Sequence, residues 1–158
     1  MQKSLLLVED TEDDVFFFKI AMKKAGLSHD LRVASNGREA IEVLRTFTEA
    51  PNASPRLSLV LLDLKMPYVT GLEVLHWMRG QPLLNFLPVV VLTSSEQEED
   101  IETAYRLGAT SFLVKPSQPE GLVEALRAID AFWFKHNRLP AEVLDRHNAA
   151  LDLAGSAS

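Results

Sequence analysis

Short apolar runs alternate along this chain with longer stretches whose apolar positions recur at helical spacing. Leu5-Leu6-Leu7-Val8 reads as a strand, and a helix follows from about Asp13 to Ala25, stopped at Gly26. Leu31-Arg32-Val33-Ala34 is a weaker strand. Asn36-Gly37 marks a turn, and Arg38 to Phe47 reads as helix, with Ala40, Ile41, Val43 and Leu44 apolar. A loop rich in Pro, Asn and Ser spans Pro51 to Pro55. Leu57 to Leu62 is apolar at nearly every position and is the strongest strand. A loop with Met66-Pro67 and Gly71 then leads into a helix from about Leu72 to Arg79. Val89 to Leu92 forms a fourth strand, Glu96 to Leu107 a helix ended by Gly108, and Ser111 to Val114 a fifth strand. Pro119 to about His136 is the last long helix.

Strict alternation of strand and helix points to an α/β fold with a parallel sheet. Strands that are apolar at successive positions are buried on both faces, as when helices cover both sides. Right-handed crossovers then build a doubly wound sheet of five strands. Residues 3–136 form this domain. Residues 137–158 lie outside the pattern, with a short helix expected near Ala141 to Leu151 and a low-complexity, disordered tail.

Composition narrows the function classes. A length of 158 residues suits one domain with an appendage, and 47% apolar with 24% charged residues is an ordinary globular balance. The absence of cysteine excludes a disulfide scaffold, a thiolate zinc site and a cysteine nucleophile. A formal charge of -6 opposes bulk binding of DNA, whose phosphates need cations. The apolar runs are too short to span a membrane, and the start of the chain shows no secretory signal, so a cytoplasmic location is expected.

In a doubly wound sheet, chemistry gathers beyond the carboxyl ends of the strands. The first strand ends in Glu9-Asp10, the third in Asp63, the fourth in Thr93 and the fifth in Lys115-Pro116. Carboxylates without imidazole or thiolate are hard oxygen ligands suited to Mg²⁺ or Mn²⁺. Lysine adds a point charge suited to a phosphate oxygen. Each acid alone reads as a helix cap or first-turn residue; their joint convergence on one edge is what suggests a site. The acids Glu96, Glu98, Glu99 and Asp100 read as an ordinary helix start, and the four histidines lack metal spacing. No glycine-rich phosphate loop or nucleophile elbow is present.

These residues resemble the receiver domain of bacterial two-component response regulators. The resemblance rests on Leu5 to Asp10, Leu62-Asp63-Leu64-Lys65-Met66-Pro67 with Gly71, Leu92-Thr93-Ser94-Ser95, and Phe112-Leu113-Val114-Lys115-Pro116. Thr93 follows Asp63 by 30 residues and Lys115 follows it by 52, as in typical receivers. The resemblance implies that Asp63 is the phosphoacceptor. It implies Mg²⁺ held by Glu9, Asp10, Asp63 and the Lys65 carbonyl, with Lys115 on the phosphoryl group, Thr93 bonding it after transfer, and Phe112 as the aromatic switch. Two positions depart from the commonest pattern. Glu9 stands where Asp is usual, and Phe112, lacking a hydroxyl, stands where Tyr is frequent. Lys65 and Ser95, each two residues past a site residue, are expected to border the phosphoryl group and tune its lifetime.

Phe132-Trp133-Phe134 and the residues that follow are similar to the small regulators paired with bacterial phytochrome histidine kinases. That likeness implies a sensor histidine kinase as partner, a bacteriophytochrome being the candidate, and a homodimer built on the last helix, the fifth strand and the C-terminal arm. Helical spacing places Leu122, Leu126, Ile129 and Trp133 toward the sheet, with Phe132 and Phe134 to either side. The residues after His136 are too few for an output domain. Signalling is therefore expected by protein contact or by passing the phosphoryl group to a phosphotransfer protein. Two other classes compete: a scaffold that never takes phosphate, and an aspartyl-nucleophile phosphatase. The phosphatase requires Asp two residues past the nucleophile, where this chain has Lys65.

Overall fold

The computed structural model of the protein describes residues 3–49 and 56–140. The expected loop at Pro51 to Pro55 and the expected helix and tail beyond Ala141 lie outside the described residues. The elements run β1 (Lys3–Val8), α1 (Glu12–Ala25), β2 (Asp30–Ala34), α2 (Gly37–Glu49), β3 (Arg56–Leu62), α3 (Gly71–Arg79), β4 (Val89–Thr93), α4 (Glu98–Arg106), β5 (Ser111–Val114) and α5 (Pro119–Ile129). A π-helix, Asp130–His136, continues α5. The strands form one parallel sheet in the order β2-β1-β3-β4-β5.

The sheet divides its own side chains between two cores, because successive residues of a strand point to opposite faces. Leu6, Val8, Val60, Leu62, Val89 and Val91 pack with α2, α3 and α4. Leu5, Leu7, Leu59, Leu61, Val90 and Leu92 pack with Phe18, Ala21 and Met22 of α1 and Val123, Leu126 and Ile129 of α5. Burial on both faces explains why the strands read as unbroken apolar runs.

Local chemistry fixes the helix ends. Gly26, at φ 76, ends α1 in a left-handed turn, with the Leu27 N–H bonding the Met22 carbonyl. Thr70 and Glu73 form a reciprocal capping box at the start of α3. At the far end of α3, Arg79 donates to the carbonyls of Gly108, Leu84, Asn85 and Leu87.

The last helix departs from the expected single α-helix. After Ile129 it widens into the π-helix, and Phe134 rather than Trp133 becomes the buried aromatic. A π-helix bonds each N–H to the carbonyl five residues back and so holds more residues per turn; Phe134, five past Ile129, returns to the core side. The Phe134 ring stacks on His29 at 4.0 Å between centroids, and its carbonyl accepts a bond from Lys3. His29 Nε2 donates to Asp130 Oδ1 at 2.6 Å, and Lys135 Nζ lies 3.1 Å from Asp130 Oδ2. Trp133 is half-buried, and Phe132 is exposed.

Candidate functional site

The carboxyl ends of the strands are tied together one step beyond the strands themselves. The N–H of Glu9 donates to Ala34, that of Asp63 to Val8, and that of Lys115 to Thr93. Glu9, Asp63 and Lys115 are thereby held by their own backbone at a fixed height above the sheet. Gly71 lets α3 start close against this edge: a Cβ there would lie 2.0 Å from the Asp63 carbonyl oxygen. That carbon would overlap backbone, which has no rotamer to yield.

Glu9, Asp10 and Asp63 each offer a carboxylate oxygen, and these atoms lie within 4.8 Å of one another. Glu9 and Asp63 are buried, and Asp10 is half-buried. Among the described residues, Lys115 is the cation that pairs with Glu9 and Asp63. Its Nζ donates to Glu9 Oε2 at 2.6 Å, Asp14 Oδ2 at 2.9 Å and Asp63 Oδ2 at 3.3 Å. Burial pushes the Glu9 carboxyl above its ordinary range. The Asp63 charge adds to that rise, while Lys115 and the Thr11 N–H pull against it. Burial alone would depress the Lys115 ammonium. Hydrogen bonds to Glu9 and Asp14, with the charges of Asp63 and Glu9, outweigh it and raise Lys115 above the usual lysine range. Three close carboxylates facing one ammonium fit a hard divalent cation, which relieves their mutual repulsion and accepts all-oxygen ligands. The chemistry open to this edge is capture of a cation and of an oxyanion beside it.

Thr93 is fully buried at the end of β4. Phe112 of β5 registers opposite Val91, two residues before Thr93, and packs partly buried against the α2–α3–α4 core. Thr93 and Phe112 therefore share one face of the sheet. The Lys65 N–H approaches Asp63 Oδ1 at 3.4 Å, but its ammonium turns to Asp100 Oδ2 at 3.1 Å. Ser95 Oγ donates to that same Asp100 oxygen, and its N–H approaches Thr93 Oγ1 at 3.4 Å. The structure thus brings Glu9, Asp10, Asp63 and Lys115 together, puts Thr93 beside them, and joins Lys65 and Ser95 through an α4 acid. Sequence reasoning misses Asp14 and Asp100. Both sit in acidic first turns of helices, where a carboxylate already has a reason to be. The missed signal for Asp14 is its place on the helix that leaves the Glu9-Asp10 strand end.

A five-stranded doubly wound sheet with clustered acids and one lysine at its carboxyl edge defines an α/β domain that pairs a cation site with an oxyanion site. This chain belongs to the response regulator receiver family: a match to the family described as Response regulator receiver domain covers residues 5–127. Members of this family are signalling switches. Response regulator Rcp1 of Synechocystis sp. is 36% identical over 139 residues, covering 88% of this chain and 94% of Rcp1. The crystal structure of its Mn²⁺-bound form superposes with a TM-score of 0.75, covering 88% of this chain and 99% of that one. The phosphorylated cyanobacterial phytochrome response regulator RcpA is 34% identical, with a TM-score of 0.79 over 89% of this chain and all (100%) of its own. The bacteriophytochrome response regulator RtBRR is 34% identical, covering 99% of this chain and 96% of that chain at a TM-score of 0.68. No helix among the described residues is long and apolar enough to cross a membrane.

Proposed function

We propose that Asp63 is the phosphoacceptor of this receiver and takes its phosphoryl group from a sensor histidine kinase. The observation that carries this reading is the Lys115 ammonium 3.3 Å from Asp63 Oδ2, on an edge shared with Glu9 and Asp10. In the transfer an Asp63 oxygen bonds to phosphorus as the bond from phosphorus to the donor's imidazole nitrogen breaks, and that nitrogen keeps the electron pair. The product is an acyl phosphate. The transition state is loose and anionic, so the protein's work is positioning and neutralisation. Lys115 neutralises an equatorial oxygen. Glu9, Asp10, Asp63 and the Lys65 carbonyl would hold Mg²⁺ or Mn²⁺, which supplies further positive charge to the phosphoryl oxygens when bound. Chemistry is limited to the chain's own phosphorylation and dephosphorylation.

The new charge and acceptor oxygens bias a two-state element. Thr93 donates its hydroxyl to a phosphoryl oxygen and moves toward it, and Phe112 fills the space vacated on the same face. A bacteriophytochrome as kinase is supported by the likeness to RcpA and RtBRR, and such a partner implies a cytoplasmic place. Output runs by protein contact or onward to a phosphotransfer protein. The receiver domain comprises residues 3–136, and residues 137–158 form an extension. A homodimer through the last helix, β5 and that extension is supported by the exposed Phe132 and by Val114 on the edge strand.

Acetyl phosphate with Mg²⁺ tests the central step by intact-mass measurement. Wild type gains one phosphoryl group, and Asp63→Asn, nearly isosteric but not nucleophilic, gains none. Full labelling of Asp63→Asn sinks the assignment. Sedimentation of the full chain and of a truncation after His136 tests the dimer, which a monomer at high concentration refutes.

A further inference from the structure

Lys115 is held by three carboxylates, and two of them have another claim on them. An ammonium has three N–H donors. Here they run to Glu9, Asp14 and Asp63 at 2.6, 2.9 and 3.3 Å. Glu9 and Asp63 belong to the carboxylate group able to hold a cation, together with Asp10; Asp14 lies outside that group. A bound metal draws on Glu9 and Asp63, and phosphorylation converts the Asp63 carboxylate into an acyl phosphate. Asp14, in the first turn of α1, is the one partner of Lys115 that neither event removes.

The surroundings give the lysine somewhere else to go. A groove of about 320 Å³ runs between α1 and the turn into α5, and Asp14, Phe17, Lys115, Pro116 and Leu122 line it. A flexible four-carbon stem beside such a groove needs a fixed acceptor to keep its head over the sheet edge.

We propose that Asp14 is a positioning residue that keeps the Lys115 ammonium on the phosphoryl group once metal and phosphoryl have engaged Glu9 and Asp63. This rests on the phosphoacceptor reading above. Asp14 touches neither the metal nor the reacting atoms; it acts through Lys115. Its carboxylate side chain is 43% exposed, so the tether is modest.

Two measurements on the full chain test it. The first is the labelling rate with acetyl phosphate and Mg²⁺ for wild type, Asp14→Asn, Lys115→Ala and the double variant. The second is the NMR order parameter of the Lys115 Cε methylene with Mg²⁺, with and without beryllofluoride as the phosphoryl stand-in. Asp14→Asn is expected to slow labelling about two- to fivefold and to lower the order parameter, while changing nothing in the Lys115→Ala background. A labelling rate that is unchanged or faster overturns the proposal. So does an unchanged order parameter, or an equal slowing in the Lys115→Ala background. Full labelling of Asp63→Asn would instead overturn the phosphoacceptor reading, and the order parameter in Mg²⁺ alone would still decide whether Asp14 tethers Lys115.

Discussion

Lys65, two residues past Asp63, sets its ammonium 3.1 Å from Asp100 on α4. The same carboxylate accepts the Ser95 hydroxyl, and these two donors hold Asp100 below the ordinary aspartate range. The loop after β3 and the loop after β4 are therefore joined by one acid.

Breaking this link should act on the phosphorylated state. Lys65→Ala frees Asp100 and leaves the edge beside Asp63 more open to water. Hydrolysis of the phosphorylated protein is expected to quicken about two- to fivefold, with formation little changed, because the Lys65 end of the pair is mostly exposed. Decay followed by intact mass checks this, and identical decay in both proteins removes Lys65 from the mechanism.

Metal binding should register as stability. Three crowded carboxylates destabilise the metal-free protein, and a cation bound only by the folded state raises its melting temperature by mass action. Asp10→Ala should remove most of the Mg²⁺-induced rise in calorimetry. An undiminished rise counts against Asp10 as a ligand.

Arg79 predicts a stability effect remote from the site. Its guanidinium donates to four carbonyls in the loop after α3 and the turn after α4, and burial pushes its pKa down without taking its proton. Lysine lacks the planar fork needed to serve both directions at once. Arg79→Lys should destabilise by about 1–3 kcal/mol in urea unfolding, with the phosphorylation rate unaffected.

Acid stability should report on Asp130. Burial raises this carboxyl, but hydrogen bonds from His29 and Lys135 and the charges of both residues outweigh it, and the net shift is below the ordinary value of 3.8. A depressed carboxylate stabilises the fold fully above its unfolded value, and that contribution is lost as pH falls through the folded one. Wild type should therefore exceed Asp130→Asn in urea midpoint at about pH 7, with the gap narrowing at about pH 3. A gap that stays constant over this range refutes the assignment.

Much of the molecule was legible in its order of residues. Leu5 to Val8, Leu57 to Leu62 and Val89 to Leu92 are apolar on both faces, and only a sheet covered on both sides satisfies that pattern. Glu9, Asp10, Asp63, Thr93 and Lys115 were readable as neighbours because a parallel sheet brings every strand's carboxyl end to the same edge. Position at a strand end is a local property, and the fold class then supplies the proximity. Gly26 was readable as a helix stop for a similar reason, since caps act within a few residues.

Tertiary structure alone decided where the long side chains end. Lys115 meets Asp14 across 101 residues, and His29 meets Asp130 across another 101. The Lys65 ammonium finds Asp100 rather than Asp63. Such partners depend on which loops the crossovers bring face to face, and no periodicity encodes that. The last helix shows the same limit. A regular α-helix carries Trp133 inward, but the partners available to Asp130 and Phe134 on β1 and the loop before β2 favour a wider turn, and Phe134 takes the core position. Helical period is a local preference worth little per residue, and packing against a fixed neighbour overrides it.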